Sequence, residues 1–130
     1  MKRLHLTILL AVLGLVPIAA TSVALAQPNA SSGGDSASAT VTVSVRMIDY
    51  RFRLTRSTFK PGTTVVFKVR NAGKEPHDFK INKVNKKTPV FLPGGSRTLR
   101  VTFKKKGVYP YLCTVGRHAA EGMAGALRVR

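Results

Sequence analysis

Residues 109–130 read Tyr-Pro-Tyr-Leu-Cys-Thr-Val-Gly-Arg-His-Ala-Ala-Glu-Gly-Met-Ala-Gly-Ala-Leu-Arg-Val-Arg. This stretch contains the only cysteine of the chain, Cys113. Four residues separate Cys113 from His118, and four more separate His118 from Met123. A thiolate, an imidazole and a thioether so close in sequence form a soft ligand set of sulfur and nitrogen, which favours a transition metal.

A second imidazole must come from elsewhere in the chain. There are three histidines, and His5 lies in an apolar leader, which leaves His77 and His118 for the folded part. Two histidines, one cysteine and a weak axial methionine suit copper in an electron-transfer site. Zinc is disfavoured because methionine is not one of its usual ligands. Taken singly, Cys113 or Met123 would be interpreted as core and His77 as a turn residue, but the combined pattern predicts metal ligation.

The N-terminal 40 residues are predicted to lie outside the folded domain. Residues 1–26 begin with basic residues, continue with a long apolar run and end in Ala-Leu-Ala, as in a secretory signal peptide. An uncleaved membrane anchor is the alternative, because the apolar run is long. Residues 27–40, rich in Ser, Ala and Gly, are predicted to form a flexible linker. These features predict a periplasmic or extracellular domain, outside the cytoplasmic membrane.

Residues 41–130 show the two-residue hydrophobic alternation of strands that have one buried face. Turn sequences that contain Pro and Gly separate the apolar runs. This pattern predicts an all-β domain, built as an antiparallel β-sandwich. The predicted strands contain Val41–Val45, Tyr50–Leu54, Val65–Val69, Phe79–Ile81, Leu99–Phe103, Val108–Cys113 and Ala126–Arg130. The predicted core includes Met47, Phe67, Phe79, Phe103, Tyr109 and Tyr111.

Three motifs of this domain resemble those of the cupredoxins, the blue copper proteins related to plastocyanin. They are Pro-His-Asp-Phe at 76–79, Gly-Val-Tyr-Pro-Tyr-Leu-Cys at 107–113, and the Cys-x4-His-x4-Met loop. The resemblance covers most of residues 41–130 and implies a Greek-key β-sandwich that carries single electrons by cycling Cu(I) and Cu(II). It also implies one type 1 copper ion, with equatorial ligands His77, Cys113 and His118 and axial ligand Met123.

Two positions depart from the family pattern. Asp78 follows His77 where many members have an asparagine that ties the two ligand loops together, so the contacts around the site are expected to differ. Arg117 stands before His118, where family loops often have Gly or Pro. The positive charge of Arg117 should favour Cu(I), because it opposes a further positive charge at the site.

The charge balance indicates the kind of partner. The chain has 22 basic and 5 acidic residues and a formal net charge of +17, or about +15 without the predicted leader. We therefore expect redox partners with acidic docking surfaces, or an anionic membrane surface, while export argues against nucleic acid. Small residues around His118 predict a flat patch for brief docking, and we expect the protein to act as a monomer.

Three other functions explain the sequence less well than electron transfer: an enzyme, a copper store and a metal-free interaction module. The sequence has no evident acid–base pair or open coordination position, so it does not predict an enzyme. A copper-binding protein for storage, delivery or tolerance would need no redox cycling, but such proteins favour exposed clusters of Met and His. A metal-free basic interaction module would leave the spacing of His77, Cys113, His118 and Met123 without a reason.

Overall fold

The structure is a computed structural model that describes residues 39–130. The predicted leader, 1–26, and the predicted linker up to residue 38 lie outside the described residues. Residues 39–130 belong to one compact unit. Within them, no helix has the length and apolar character needed to cross a membrane.

The regular secondary structure of the described residues is almost entirely β-strand. They are β1 (Thr40–Ile48), β2 (Arg51–Leu54), β3 (Thr58–Phe59), β4 (Thr63–Asn71), β5 (Lys80–Ile81), β6 (Lys86–Lys87), β7 (Ser96–Phe103), β8 (Gly107–Leu112) and β9 (Ala124–Val129). A single 3-10 turn, Asn82–Val84, lies between β5 and β6. All seven predicted strand regions are present, whereas β3 and β6, of two residues each, are too short to show an alternation.

The strands form two sheets, with the orders β2-β1-β4-β7 and β3-β9-β8-β5-β6. The predicted β-sandwich is confirmed, but both sheets are mixed rather than purely antiparallel. β1 runs parallel to β4, and β3 runs parallel to β9. The chain leaves the first sheet after β2, forms β3 in the second sheet and then returns as β4. It therefore enters β4 from the same end as β1.

The two sheets bury one hydrophobic core between their inner faces. Phe59 stacks on Phe103 at 5.8 Å between ring centroids, and Phe67 packs against Phe79 at 5.4 Å. The predicted core is confirmed, because Met47, Phe67, Phe79, Phe103, Tyr109 and Tyr111 are all buried. Since the described sheets and their core lie within residues 39–130, the fragment 27–130 carries what this sandwich needs to fold.

Several strand ends meet at one end of the sandwich. β1 ends before Asp49, β4 ends before the loop that leads to His77, and β8 ends immediately before Cys113. Asn71, at the end of β4, donates hydrogen bonds from its side chain to the carbonyls of Glu75 (2.8 Å) and Phe91 (3.0 Å). The buried amide therefore holds the loop in place where the candidate ligands converge.

Candidate metal centre

Each predicted ligand has a defined backbone position. His77 forms an isolated bridge with Phe91, with hydrogen bonds of 3.2 and 3.0 Å in the two directions. Cys113 follows β8 directly, and Met123 immediately precedes β9. The loop between Cys113 and Met123 closes on itself, because the His118 N–H donates to the Val115 carbonyl at 3.1 Å. Strand ends therefore position Cys113 and Met123, a β-bridge positions His77, and a hydrogen-bonded turn positions His118.

The structure brings His77, Cys113 and His118 together as one buried cluster. The two Nδ1 atoms lie 3.1 Å apart, and Cys113 Sγ lies 3.8 Å from Nδ1 of His77 and 3.6 Å from Nδ1 of His118. The point equidistant from these three atoms is about 2 Å from each, close to the lengths of metal–imidazole and metal–thiolate bonds. The triangle therefore has the size that a single metal ion requires.

Met123 adjoins this triangle through its backbone. Its N–H donates to the His118 carbonyl at 2.8 Å, and its carbonyl accepts from the Cys113 N–H at 3.1 Å. Its side chain is fully buried. Met123 is therefore held beside two of the three clustered donors, and a donor set that included its thioether would fit copper better than zinc.

Asp49 orients His77 and was missed by the sequence analysis. Its carboxylate lies 3.1 Å from His77 Nε2 and also accepts the backbone N–H groups of Lys74 (2.8 Å) and Glu75 (3.2 Å). The hydrogen bond from His77, followed by that from Lys74, lowers the pKa of Asp49 below its usual value. An ionised carboxylate at Nε2 keeps the proton there, which leaves the Nδ1 lone pair free to bind a metal.

Asp78 joins the two ligand loops. Its carboxylate accepts hydrogen bonds from the backbone N–H of Thr114 (2.6 Å) and from the Thr114 hydroxyl (2.5 Å). Thr114 directly follows Cys113, and Asp78 directly follows His77. The Asp78 side chain thus ties the two loops together through Thr114.

The Cys113 thiol is almost completely buried, with 1% of its surface exposed. Burial raises the pKa of Cys113 above the ordinary value for a thiol. In the metal-free protein the thiol therefore holds its proton, and a binding metal must displace it.

Tyr50 covers His118 from the turn between β1 and β2. The two rings meet edge to face, 5.2 Å apart, and Tyr50 is 39% exposed. Its φ of 63° is uncommon for an aromatic residue, so the turn is held in a strained conformation beside the site. Arg117, Ala120 and Gly122 are exposed in the neighbouring loop. The surface over His118 therefore includes Tyr50, which was predicted to lie in a strand but lies in the turn before β2.

The family model of the cupredoxin-like domain matches residues 14–124, and the chain therefore belongs to this family. Copper is the cofactor that both the family and the donor set support. A sequence search of curated proteins gives no significant match.

Solved structures show the same fold. An auracyanin from the photosynthetic bacterium Roseiflexus castenholzii, in its dithionite-reduced form, is 22% identical, with a TM-score of 0.60 over 71% of this chain and 98% of its own. A rusticyanin, described as a copper protein, is 23% identical, with a TM-score of 0.56 over 70% and 78% of the two chains. A chain of a heme-copper terminal oxidase dimer is 19% identical, with a TM-score of 0.60 over 74% and 67%.

Proposed function

We propose that the protein is an exported blue copper protein that carries single electrons between redox partners. In this proposal His77, Cys113 and His118 are the equatorial ligands and Met123 is the axial ligand. Copper supplies the one-electron change between Cu(I) and Cu(II). Export follows from residues 1–26 as a signal peptide or anchor, with residues 27–40 as a linker to the folded domain, 41–130.

The observation that carries the proposal is the triangle of two Nδ1 atoms and one Sγ with sides of 3.1, 3.6 and 3.8 Å. These separations match a single metal ion bound to all three atoms. A site that is nearly the same in both oxidation states favours rapid electron exchange, because little reorganisation accompanies it. Asp49 and Asp78 restrict movement further by fixing the His77 ring and the loop after Cys113.

Burial distinguishes electron transfer from copper delivery. His77, Cys113 and Met123 are at most 1% exposed, and His118 is 9% exposed. A delivery site needs ligands that an acceptor protein can reach, whereas electrons can pass through the edge of one ring. The dithionite-reduced auracyanin shows that a protein of this fold can be studied in a reduced state. The donor arrangement therefore supports a carrier rather than an enzyme or a store.

The docking site of the redox partner is proposed to surround His118. Its ring is the most exposed of the four proposed ligands, and the exposed residues Ala120 and Gly122 are small. Tyr50 adds an aromatic surface against the same ring. Transient interfaces between redox proteins typically bury little surface, so a patch of a few residues around His118 suits such a contact.

The proposal is tested by the visible absorption of residues 27–130 after addition of Cu(II). We expect a strong thiolate-to-copper band that Cys113→Ser abolishes and a mild reductant bleaches reversibly. Met123→Leu should shift the band and the reduction potential, whereas Met47→Leu, which changes a buried methionine of β1, should alter neither. A colourless protein that binds copper equally well without Cys113 would refute the proposal.

A further inference from the structure

The outward face of the four-stranded sheet carries a concentration of positive charge. The strand register places Arg53, Arg46 and Arg70 opposite one another on three adjacent strands, β2, β1 and β4. All three are exposed. The arginine face, as defined here, comprises six outward basic residues of this sheet: Arg46, Arg51, Arg53, Lys68, Arg70 and Arg100.

These charges are not neutralised within the described chain. The acidic side chains of residues 39–130 are Asp49, Glu75, Asp78 and Glu121, all in turns and loops rather than on this face. The ion pair found within that range joins His77 to Asp49 and involves none of the six. Like charges directly opposite on neighbouring strands repel each other. The arrangement therefore disfavours the isolated fold and would be relieved by an external anion.

A groove on this face offers donors suited to phosphate. Its volume is about 640 Å³, and its lining includes Ser44, Arg46, Lys68, Arg70, Arg97 and Thr98. Arg97 is held in place, because its guanidinium lies 5.1 Å from the centre of the Phe91 ring and donates to the Ser96 carbonyl at 2.8 Å. Guanidinium and hydroxyl groups together bind phosphate oxygens well.

We propose that the arginine face binds the anionic phosphate headgroups of a lipid membrane. The charges extend over several strands of one sheet face, which matches an extended anionic surface. The outward side chains between them are mostly Ser and Thr, such as Thr42, Ser44 and Thr98. Protein interfaces are usually built around buried aromatic or aliphatic anchors, and the exposed positions of this face provide none. An acidic protein is therefore the less suitable occupant.

Membrane binding through this face leaves the metal centre available. The side chains of the arginine face point away from the core, whereas Tyr50 and the loop around His118 form the surface at the metal end. A carrier held by its sheet face could then diffuse along the membrane with its docking patch free. Lipid binding by the arginine face does not require copper to be bound.

The test is sedimentation of residues 27–130 with vesicles of phosphatidylcholine, with and without phosphatidylglycerol. We expect binding only to the anionic vesicles, and a progressive loss as salt is raised. The triple variant R46Q/R53Q/R70Q should lower the partition coefficient by about tenfold or more. The matched control K86Q/K87Q/K105Q removes the same amount of charge from other exposed positions. It should change the partition coefficient by less than about twofold.

Three outcomes would overturn the inference. The first is equal loss of binding in the two triple variants, which would indicate a general effect of net charge. The second is binding to neutral vesicles as strong as to anionic ones. The third is that the protein does not bind anionic vesicles but does bind poly-glutamate, and that R46Q/R53Q/R70Q weakens this binding. That result would assign the arginine face to an acidic protein. Cys113→Ser should bind vesicles as the wild type does, because lipid binding does not depend on the copper site. Thermal unfolding verifies that each variant is folded.

Discussion

At the scale of single residues, Asp49 has the largest consequence for the site. It touches His77 at the nitrogen opposite the proposed donor atom and is itself held by the Lys74 and Glu75 N–H groups. It therefore selects the tautomer and the ring orientation that the metal needs. The neighbouring Tyr50 contacts the other histidine, so one two-residue turn reaches both imidazoles.

Replacement of Asp49 by alanine should weaken copper binding by about 10- to 100-fold, as for other residues that orient a metal-bound histidine. Asp49→Asn retains an oxygen acceptor for Nε2–H and should lose less. Competition with a chromophoric chelator measures both affinities. Glu75→Gln removes an exposed carboxylate from the β4–β5 loop, beside Asp49, and serves as the charge control. An equal loss of affinity in Glu75→Gln would show that charge rather than orientation is responsible.

At the scale of elements, the loop from β4 to β5 depends on a close approach to the β1–β2 turn. A Cβ at Gly73 would collide with the Asp49 carboxylate and would lie 3.0 Å from His77 Nε2. The Gly73 N–H is also bound by Asn71 Oδ1 at 3.0 Å, so the backbone has little room to withdraw. Glycine is therefore required here by space rather than by an unusual φ.

Gly73→Ala should displace Asp49 from His77 and lower the free energy of unfolding by about 1–3 kcal/mol, as overpacking usually does. Ring ¹⁵N chemical shifts of His77 should change from those of a single Nε2–H tautomer to those of a mixture. Ala72→Ser adds one atom at the exposed neighbouring position and should change neither quantity. If Gly73→Ala left the His77 shifts unaltered, the close approach would not control the tautomer.

At the scale of the whole molecule, the donors converge at one end of a sandwich whose hydrophobic core is built mainly from other residues. β4, β8 and β9 carry the ligand loops, and the hydrophobic core lies between the two sheets. The metal-free domain should therefore fold by itself, and copper should add stability by binding only the folded state. This behaviour differs from that of small domains that remain unfolded without metal.

Copper at a free concentration 100 times its Kd should stabilise the domain by about 2.7 kcal/mol and raise the Tm by roughly 10–20 °C. Calorimetry of residues 27–130 with and without copper measures the shift. Cys113→Ser, which lacks the thiolate, should show little of it at the same copper concentration. An unfolded metal-free domain would contradict the expectation that the core forms without copper.

The longer strands, the sandwich and the proposed ligand set could be predicted from the sequence, because they depend mostly on local patterns, whereas β3 and β6 could not. Two-residue alternation marks a strand wherever one face is buried. Three of the proposed ligands lie within the short span from Cys113 to Met123, and the chain has few histidines from which to choose the fourth. The parallel pairing of β1 with β4 left no such pattern, since alternation is the same for either strand direction.

Tertiary packing alone revealed the roles of Asp49, Tyr50 and Gly73, and the row formed by Arg53, Arg46 and Arg70. Asp49 lies 28 residues before His77, and Tyr50 contacts a histidine much further along the chain. Register across three strands aligned the arginines, which are isolated in the sequence. The physical reason is common to all of them. Local patterns report whether a side chain is buried, whereas the identity of its neighbour depends on how distant strands are paired.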